Sequence, residues 1–136
     1  MRLVSACLLG INCRYDGKNC LEKKVIQLFL REVLIPICPE QLGGFPTPRE
    51  PIEIVGGDGS EVLDGKAKVF DGFGRDVTKN LVKGANEVLK IAKLLGVREA
   101  IMKAKSPSCG CGENQDGVTA AILKRNCIHV ITEEEL

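Results

Sequence analysis

The sequence predicts an α/β fold: an open, mostly parallel sheet with helices on both faces, plus a short β ribbon. Three observations predict it. Short apolar runs bounded by Gly and Pro recur along the chain, stretches of helical periodicity separate most of them, and the resulting alternation of strand and helix is the pattern of a parallel sheet with crossover helices. The connections are expected to be right-handed.

The elements follow in order. Arg2 to Ala6 reads as a first strand, ending where Cys7-Leu8-Leu9-Gly10 opens a loop. Leu21, Val25, Leu28 and Phe29 recur at helical spacing and predict a helix from about Leu21 to Arg31. Val33 to Ile37 is a continuous apolar run, as expected of a strand covered on both faces, and it ends at Cys38-Pro39-Glu40. Three prolines and two glycines between Gly43 and Pro51 exclude regular structure there and predict a shaped loop. Ile52 to Val55, Glu61 to Leu63 and Lys66 to Phe70 read as short strands of a ribbon, separated by glycine turns.

Val77, Leu81, Ala85, Val88, Ala92 and Leu95 carry the strongest helical spacing, with Asp76 as N-cap and Gly96 as the stop. Glu99 to Met102 is then a strand, Ser106 to Gly117 a loop, Val118 to Arg125 a short helix and Ile128 to Ile131 a last strand. The order is Rossmann-like. His129, on that last strand, is expected to be a core or edge residue and not a ligand.

Length and charge narrow the function. The 136 residues are read as one domain, 1–136, long enough to bury an ordinary core without staples. Lys plus Arg number 19 and Asp plus Glu 18, so a strongly basic nucleic-acid binder is not expected. No apolar run approaches the ~20 residues of a membrane span. Val4 to Cys7 superficially resembles a lipoprotein cleavage box, but the stretch before Cys7 is too short for a signal peptide. A reduced, cytoplasmic chain is the expectation.

Cysteine is the outlier, with seven residues: Cys7, Cys13, Cys20, Cys38, Cys109, Cys111 and Cys127. An odd count argues against a disulfide framework. Cys7 follows the first strand, Cys38 the second, and Cys109 lies in the loop after the strand near Ile101. In open parallel sheets the carboxyl-end loops converge on one crevice, so these three thiols are expected to meet in space. A phosphatase-type loop is a poor fit, because six residues separate Cys7 from Arg14 where such loops have five. A structural zinc site using Cys7, Cys38, Cys109 and Cys111 lacks the usual pair of C-x-x-C knuckles. Arg14, Asp16, Thr47 and Arg49 are polar residues of crevice-side loops, suited to binding substrate or to holding the loops together.

Ser5-Ala6-Cys7-Leu8-Leu9-Gly10, Cys13-Arg14-Tyr15-Asp16-Gly17, Cys38-Pro39-Glu40 with Gly43-Gly44, Pro46-Thr47-Pro48-Arg49, Asp76-Val77-Thr78 and Ser106-Pro107-Ser108-Cys109-Gly110 occur in the order found in a bacterial family that includes the thiouracil desulfidases. The chain resembles that family over essentially its whole length. The resemblance implies a [4Fe-4S] cluster held by Cys7, Cys38 and Cys109, with Glu40 and Ser106 beside the substrate. Three thiolates for four irons leave one iron open, and soft thiocarbonyl sulfur suits it better than a hard oxygen ligand does. Glu40 would activate a water, Ser106 would orient substrate or water, and Ser108 of the same motif joins the substrate-binding candidates. Ring C=S would become C=O with release of hydrosulfide from a small thiolated nucleobase-like compound. The alternative is a non-catalytic iron-sulfur, zinc-binding or sulfur-carrier module. One departure bears on the choice: the bridge from Cys111 to Asp116 is shorter than in the family, which removes part of the loop expected to cover substrate.

Overall fold

The computed structural model describes residues 1–111 and 115–136. The elements are β1 (Arg2–Ser5), α1 (Lys23–Phe29), β2 (Leu34–Ile37), α2 (Pro39–Leu42), β3 (Ile52–Val55), α3 (Gly59–Leu63), β4 (Lys68–Asp71), α4 (Thr78–Leu95), β5 (Glu99–Met102), α5 (Val118–Arg125) and β6 (His129–Thr132). Four parallel strands form the main sheet in the order β2-β1-β5-β6, and β3 and β4 pair as an antiparallel ribbon. Pro36 is tolerated in β2 because β2 is an edge strand.

Alternation along the strands separates the two faces. Leu3, Ile37, Ala100, Met102 and Val130 pack on Val88 and Ala92 of α4 and on Ala120 and Leu123 of α5. Val4, Leu34 and Ile101 turn the other way, onto Val25 of α1. Helices therefore cover both faces, as expected. The ribbon and α3 add a third apolar cluster, in which Ile52, Val62 and Val69 meet Leu81 and Ala85 of α4.

Several boundaries and one element differ from the sequence expectation. Glu61 to Leu63 is not a ribbon strand but part of α3. The reason is a capping box: the Asp58 carboxylate accepts the Glu61 N–H and the Glu61 side chain accepts the Asp58 N–H, which favours a helical turn over extended pairing. Cys7 lies in a 3₁₀ turn (Ala6–Leu9) that Gly10 ends with a positive φ of 89°. Helix α1 starts at Lys23, because Leu21 is 57% exposed and contributes nothing to the buried face. Pro39 at the first position of α2 starts a helical turn where only a strand end was foreseen. Asp76 caps α4 from just before it, accepting the Thr78 N–H at 3.0 Å. His129 is an exposed edge residue.

Candidate active site

Strand β1 has β2 on one side and β5 on the other, so the chain order reverses at β1, and the carboxyl ends of these three strands open into one crevice. A cavity of about 220 Å³ lies there. Ser5, Cys7, Cys13, Arg14, Cys38, Glu40, Arg49, Lys103, Ser106 and Cys109 line it, with neighbouring apolar residues. The structure thus brings together the three cysteines expected to converge, together with Glu40, Ser106, Arg14 and Arg49.

Each thiol is placed by local backbone bonding. Cys7 sits in the turn leaving β1, and its carbonyl accepts the N–H of Cys20, which folds the 11–20 loop back over it. Cys38 precedes α2. Cys109 sits in a turn that doubles as the cap of α5: carbonyls of Pro107 and Ser108 accept the N–H groups of Val118 and Thr119, which no residue within the helix could satisfy. Gly117 permits this approach, since a Cβ there would stand 2.5 Å from the Ser108 carbonyl oxygen. Lys105, also in the cavity wall, holds a positive φ of 62° just before that turn.

All seven thiols are free. Burial pushes Cys109 up to about 12, partly offset by the Ser5 and Ser106 side chains. Cys13 is drawn down by Cys38 but raised further by Cys7 and by burial, to about 11. Cys38 is raised by its contact with Cys13 and by burial. Cys13, Cys38 and Cys109 are therefore protonated thiols at neutral pH. Among the described residues no three Cys, His, Asp or Glu side chains stand close enough to hold one metal ion. Cys7, Cys13, Cys38 and Cys109 line the wall of one cavity.

Polar groups are arranged around this sulfur-rich centre. Glu40 and Arg49 form an ion pair, Oε2 to Nη2 at 2.5 Å, with side chains only 16% and 7% exposed. Arg49 also stacks over the Phe45 ring, 4.8 Å from its centroid, and its Nη1 donates to the Glu50 carbonyl at 2.7 Å, so its guanidinium is fixed, while its backbone N–H donates to the Tyr15 carbonyl. Ser106 Oγ accepts the N–H groups of Ser108 and Cys109, leaving its own proton as the remaining donor. Arg14 donates to Cys20 Sγ at 2.9 Å, and Lys103 pairs with Glu133 at 3.0 Å. Arg14, Arg49, Lys103 and Lys105 thus put four cations on the walls beside the one carboxylate of Glu40.

Other expected residues are committed elsewhere. Asp16 is exposed and accepts the Lys18 N–H. Thr47 accepts from Gln41 Nε2 at 3.0 Å and ties the proline loop to α2. Ser108 is fully buried and shares a hydrogen bond with Thr119 Oγ1 at 3.0 Å. None of the three lines the cavity. Cys111 donates toward the Val130 carbonyl and lines a second cavity of about 570 Å³, so the four-thiolate zinc arrangement is not assembled. The shortened bridge falls largely on Gly112, Glu113 and Asn114, which lie outside the described residues. Ser5, Cys13, Lys103 and Lys105 also line the cavity and were not among the sequence candidates. The signal for Cys13 was its place in the same loop as Cys7.

Known proteins show the same organisation. A family model for 2-thiouracil desulfurase matches residues 3–135. The chain is 44% identical over 147 aligned positions to the uncharacterized protein YbbK of Bacillus subtilis (strain 168), covering 100% of this chain and 97% of that one. The alignment is longer than this chain, so the relative carries residues that are lacking here. Among solved structures, the [4Fe-4S]-dependent thiouracil desulfidase TudS matches with a TM-score of 0.86 and 35% identity, covering 99% of this chain and 91% of that chain.

Proposed function

The chain belongs to the 2-thiouracil desulfurase family, and on that premise we propose that it removes sulfur from a small thiolated nucleobase-like compound, using a [4Fe-4S] cluster held by Cys7, Cys38 and Cys109. The observation that carries this reading is the meeting of three cysteines, each just beyond a different strand, around one cavity that also holds a fixed carboxylate. Soft sulfur donors lining one cavity fit the thiolate ligation of such a cluster.

When bound, the cluster supplies an iron with a free coordination position, a Lewis acid suited to thiocarbonyl sulfur. The chain supplies the rest. Glu40 takes the proton of a water that attacks the C=S carbon, and Arg49 holds the carboxylate in place through Oε2, leaving Oε1 for the water. Ser106 donates its remaining proton to the substrate, because both backbone N–H groups on its oxygen fix the hydroxyl's position. Arg14 and Lys105, on the cavity wall, bind substrate edges and favour the anionic product. Carbon exchanges sulfur for oxygen, R₂C=S + H₂O → R₂C=O + HS⁻ + H⁺, with no net oxidation. Asp16, Thr47 and Ser108 act in the architecture around this site.

Anaerobic reconstitution tests the reading. Iron, inorganic sulfide and broad visible absorbance should appear, and should be lost in Cys7→Ala, Cys38→Ala and Cys109→Ala. Hydrosulfide should be released from a panel of thiopyrimidines, and Glu40→Gln should abolish release while keeping the cluster. A full cluster in any of the three cysteine variants would refute the ligand assignment. A full cluster with no release from any thiopyrimidine would identify a non-catalytic iron-sulfur module.

A further inference from the structure

Lys103 is the cavity cation to which the proposed reaction assigns no part. Arg14 and Lys105 bind substrate edges and Arg49 holds Glu40, but Lys103 also lines the cavity, with its side chain 24% exposed. Sheet register explains its place. Met102 of β5 pairs with Thr132 of β6, so Lys103 and Glu133 are the first residues beyond these two strands and lie side by side. The ladder stops there, and the next N–H groups of the chain need other acceptors. Ser5 Oγ, at the end of β1, accepts the Lys103 N–H at 2.9 Å, and the Glu133 carboxylate accepts the Ala104 N–H at 2.8 Å. The same carboxylate, only 10% exposed, pairs through Oε1 with Lys103 Nζ at 3.0 Å, and Nζ donates to the Ala104 carbonyl at 2.9 Å. Glu134, the next residue, is by contrast 62% exposed.

Resting on the desulfurisation reading above, we propose that Lys103 binds the thiolated substrate and that Glu133 is the positioning residue that holds it there. An ammonium has three N–H donors. Among the described residues two acceptors take up Lys103, the Glu133 carboxylate and the Ala104 carbonyl, which leaves one donor for a molecule in the cavity whose wall the side chain forms. The acceptor it fits is a carbonyl oxygen or unprotonated nitrogen of the heterocycle, since the thiocarbonyl sulfur is softer and suited to iron. A free lysine would spread over many rotamers, and ordering it would weaken binding; with Nζ already tied twice, most of that cost is met in the folded protein. The charge adds to this, because a hydrogen bond from a charged donor is roughly twice as strong as a neutral one. Glu133 is not part of the cavity lining, so its effect on substrate must pass through Lys103.

The test compares wild type, Lys103→Met, Lys103→Arg, Glu133→Gln and the Lys103→Met/Glu133→Gln double variant, with the exposed Glu135→Gln as control, each reconstituted anaerobically. Iron content is measured, with KM and kcat for hydrosulfide release from a thiopyrimidine and the dissociation constant of the same compound in a Glu40→Gln background, where it binds without turnover. Thermal unfolding of the cluster-free proteins checks folding. The expected result is a full cluster in every variant. Lys103→Met raises KM and the dissociation constant by roughly 10- to 100-fold, the loss of one charged hydrogen bond, with kcat within a few-fold of wild type. Glu133→Gln keeps an oxygen for the Ala104 N–H but not the charge that holds Nζ, and raises KM several-fold. Lys103→Arg recovers part of the loss, and the double variant is no worse than Lys103→Met alone. A wild-type KM in folded Lys103→Met would overturn the inference and leave the pair as a clamp on its loop. Penalties that multiply in the double variant would overturn the part given to Glu133. Should Lys103→Met fail to fold, an unchanged KM in Glu133→Gln would overturn the inference by itself. A wild type that carries its cluster but releases no hydrosulfide from any thiopyrimidine would instead remove the desulfurisation reading, and the inference with it.

Discussion

Gly84 lies in the interior of α4, outside the cavity lining, yet it determines where Glu40 and Cys38 can sit. A Cβ at Gly84 would stand 1.9 Å from the Pro39 carbonyl oxygen and 3.1 Å from the Gly43 nitrogen. The approach is reciprocal, since a Cβ at Gly43 would meet the Asn80 carbonyl oxygen at 2.2 Å. Asn80 Nδ2 closes the contact by donating to the Gly43 carbonyl at 3.0 Å. Helices α2 and α4 thus touch backbone to backbone. In Gly84→Ala, α2 must retreat by roughly 1.5 Å to restore an ordinary 3.4 Å contact. Helix α4 will not yield, because Leu81, Ala85 and Val88 are fully buried in the core.

Two effects of opposite sign compete. Alanine in a helix interior is favoured over glycine by about 1 kcal/mol. Over-packing costs roughly 1–3 kcal/mol, and the upper end applies when the obstacle is backbone with no rotamer to rearrange. The net expectation is a loss of about 1–2 kcal/mol, or roughly 4–8 °C in Tm for a chain of this size. Activity should suffer more than stability, because the displaced turn carries Glu40 and begins next to Cys38. Thermal unfolding of the cluster-free protein, iron content after reconstitution and hydrosulfide release measure the three effects, with the exposed Lys83→Ala as a neighbouring control on the same helix. A Gly84→Ala protein that melts higher than wild type and loads and turns over normally would refute the argument, because propensity would then outweigh a contact that is not tight.

Further outcomes follow from the same geometry. Arg49→Met should keep the cluster but lower hydrosulfide release by roughly 10–100-fold, because Glu40 loses the partner that aims it; steady-state rates alongside iron content decide this. Ser108→Ala should cost about 1–2 kcal/mol in urea unfolding by leaving Thr119 without its buried partner, with KM unchanged. A raised KM would return Ser108 to the substrate. Cys109 and Cys13 hold their protons to about 12 and about 11 when folded, against an ordinary 9.0, so above pH 9 the unfolded chain binds fewer protons than the folded one and stability falls as pH rises. Their contribution is complete below pH 9 and is lost progressively toward pH 11–12. At pH 10 the loss is roughly 1 kcal/mol per thiol. Urea midpoints of the cluster-free protein at pH 8 and pH 10 should therefore differ less in Cys109→Ala than in wild type.

Much of the fold was legible because the main sheet obeys simple patterning. Val118 to Arg125 and Glu99 to Met102 match their predicted spans, since periodicity and flanking glycines both mark them. Glu61 to Leu63 misled because a three-residue alternation of polar and apolar residues fits either a strand or one helical turn. The deciding bonds are the reciprocal Asp58 and Glu61 cap, which sequence spacing suggests but does not distinguish from a turn between strands. Helix α2 was missed for a related reason. Four residues carry no periodicity, and its position depends on a contact with Gly84, distant in sequence.

The site divides along the same physical line. Cys7, Cys38 and Cys109 could be brought together from sequence because each follows a strand, and strand ends are placed by topology. Residues farther along their loops were not placed by topology. Arg49 reaches the cavity because its N–H bonds to Tyr15 and its guanidinium to Glu40, whereas Thr47, two residues earlier, is drawn to Gln41. Ser106 faces the cavity and Ser108 the core because the backbone between them curls to cap α5. Cys13 shows the limit from the other side. It follows no strand, and only the folding of its loop, tied by the Cys20 N–H to the Cys7 carbonyl, packs it in one cluster with Cys7 and Cys38. In this fold, strand ends give the positions that a cluster would need, and side-chain bonds within the loops select which neighbouring groups can act on what it holds.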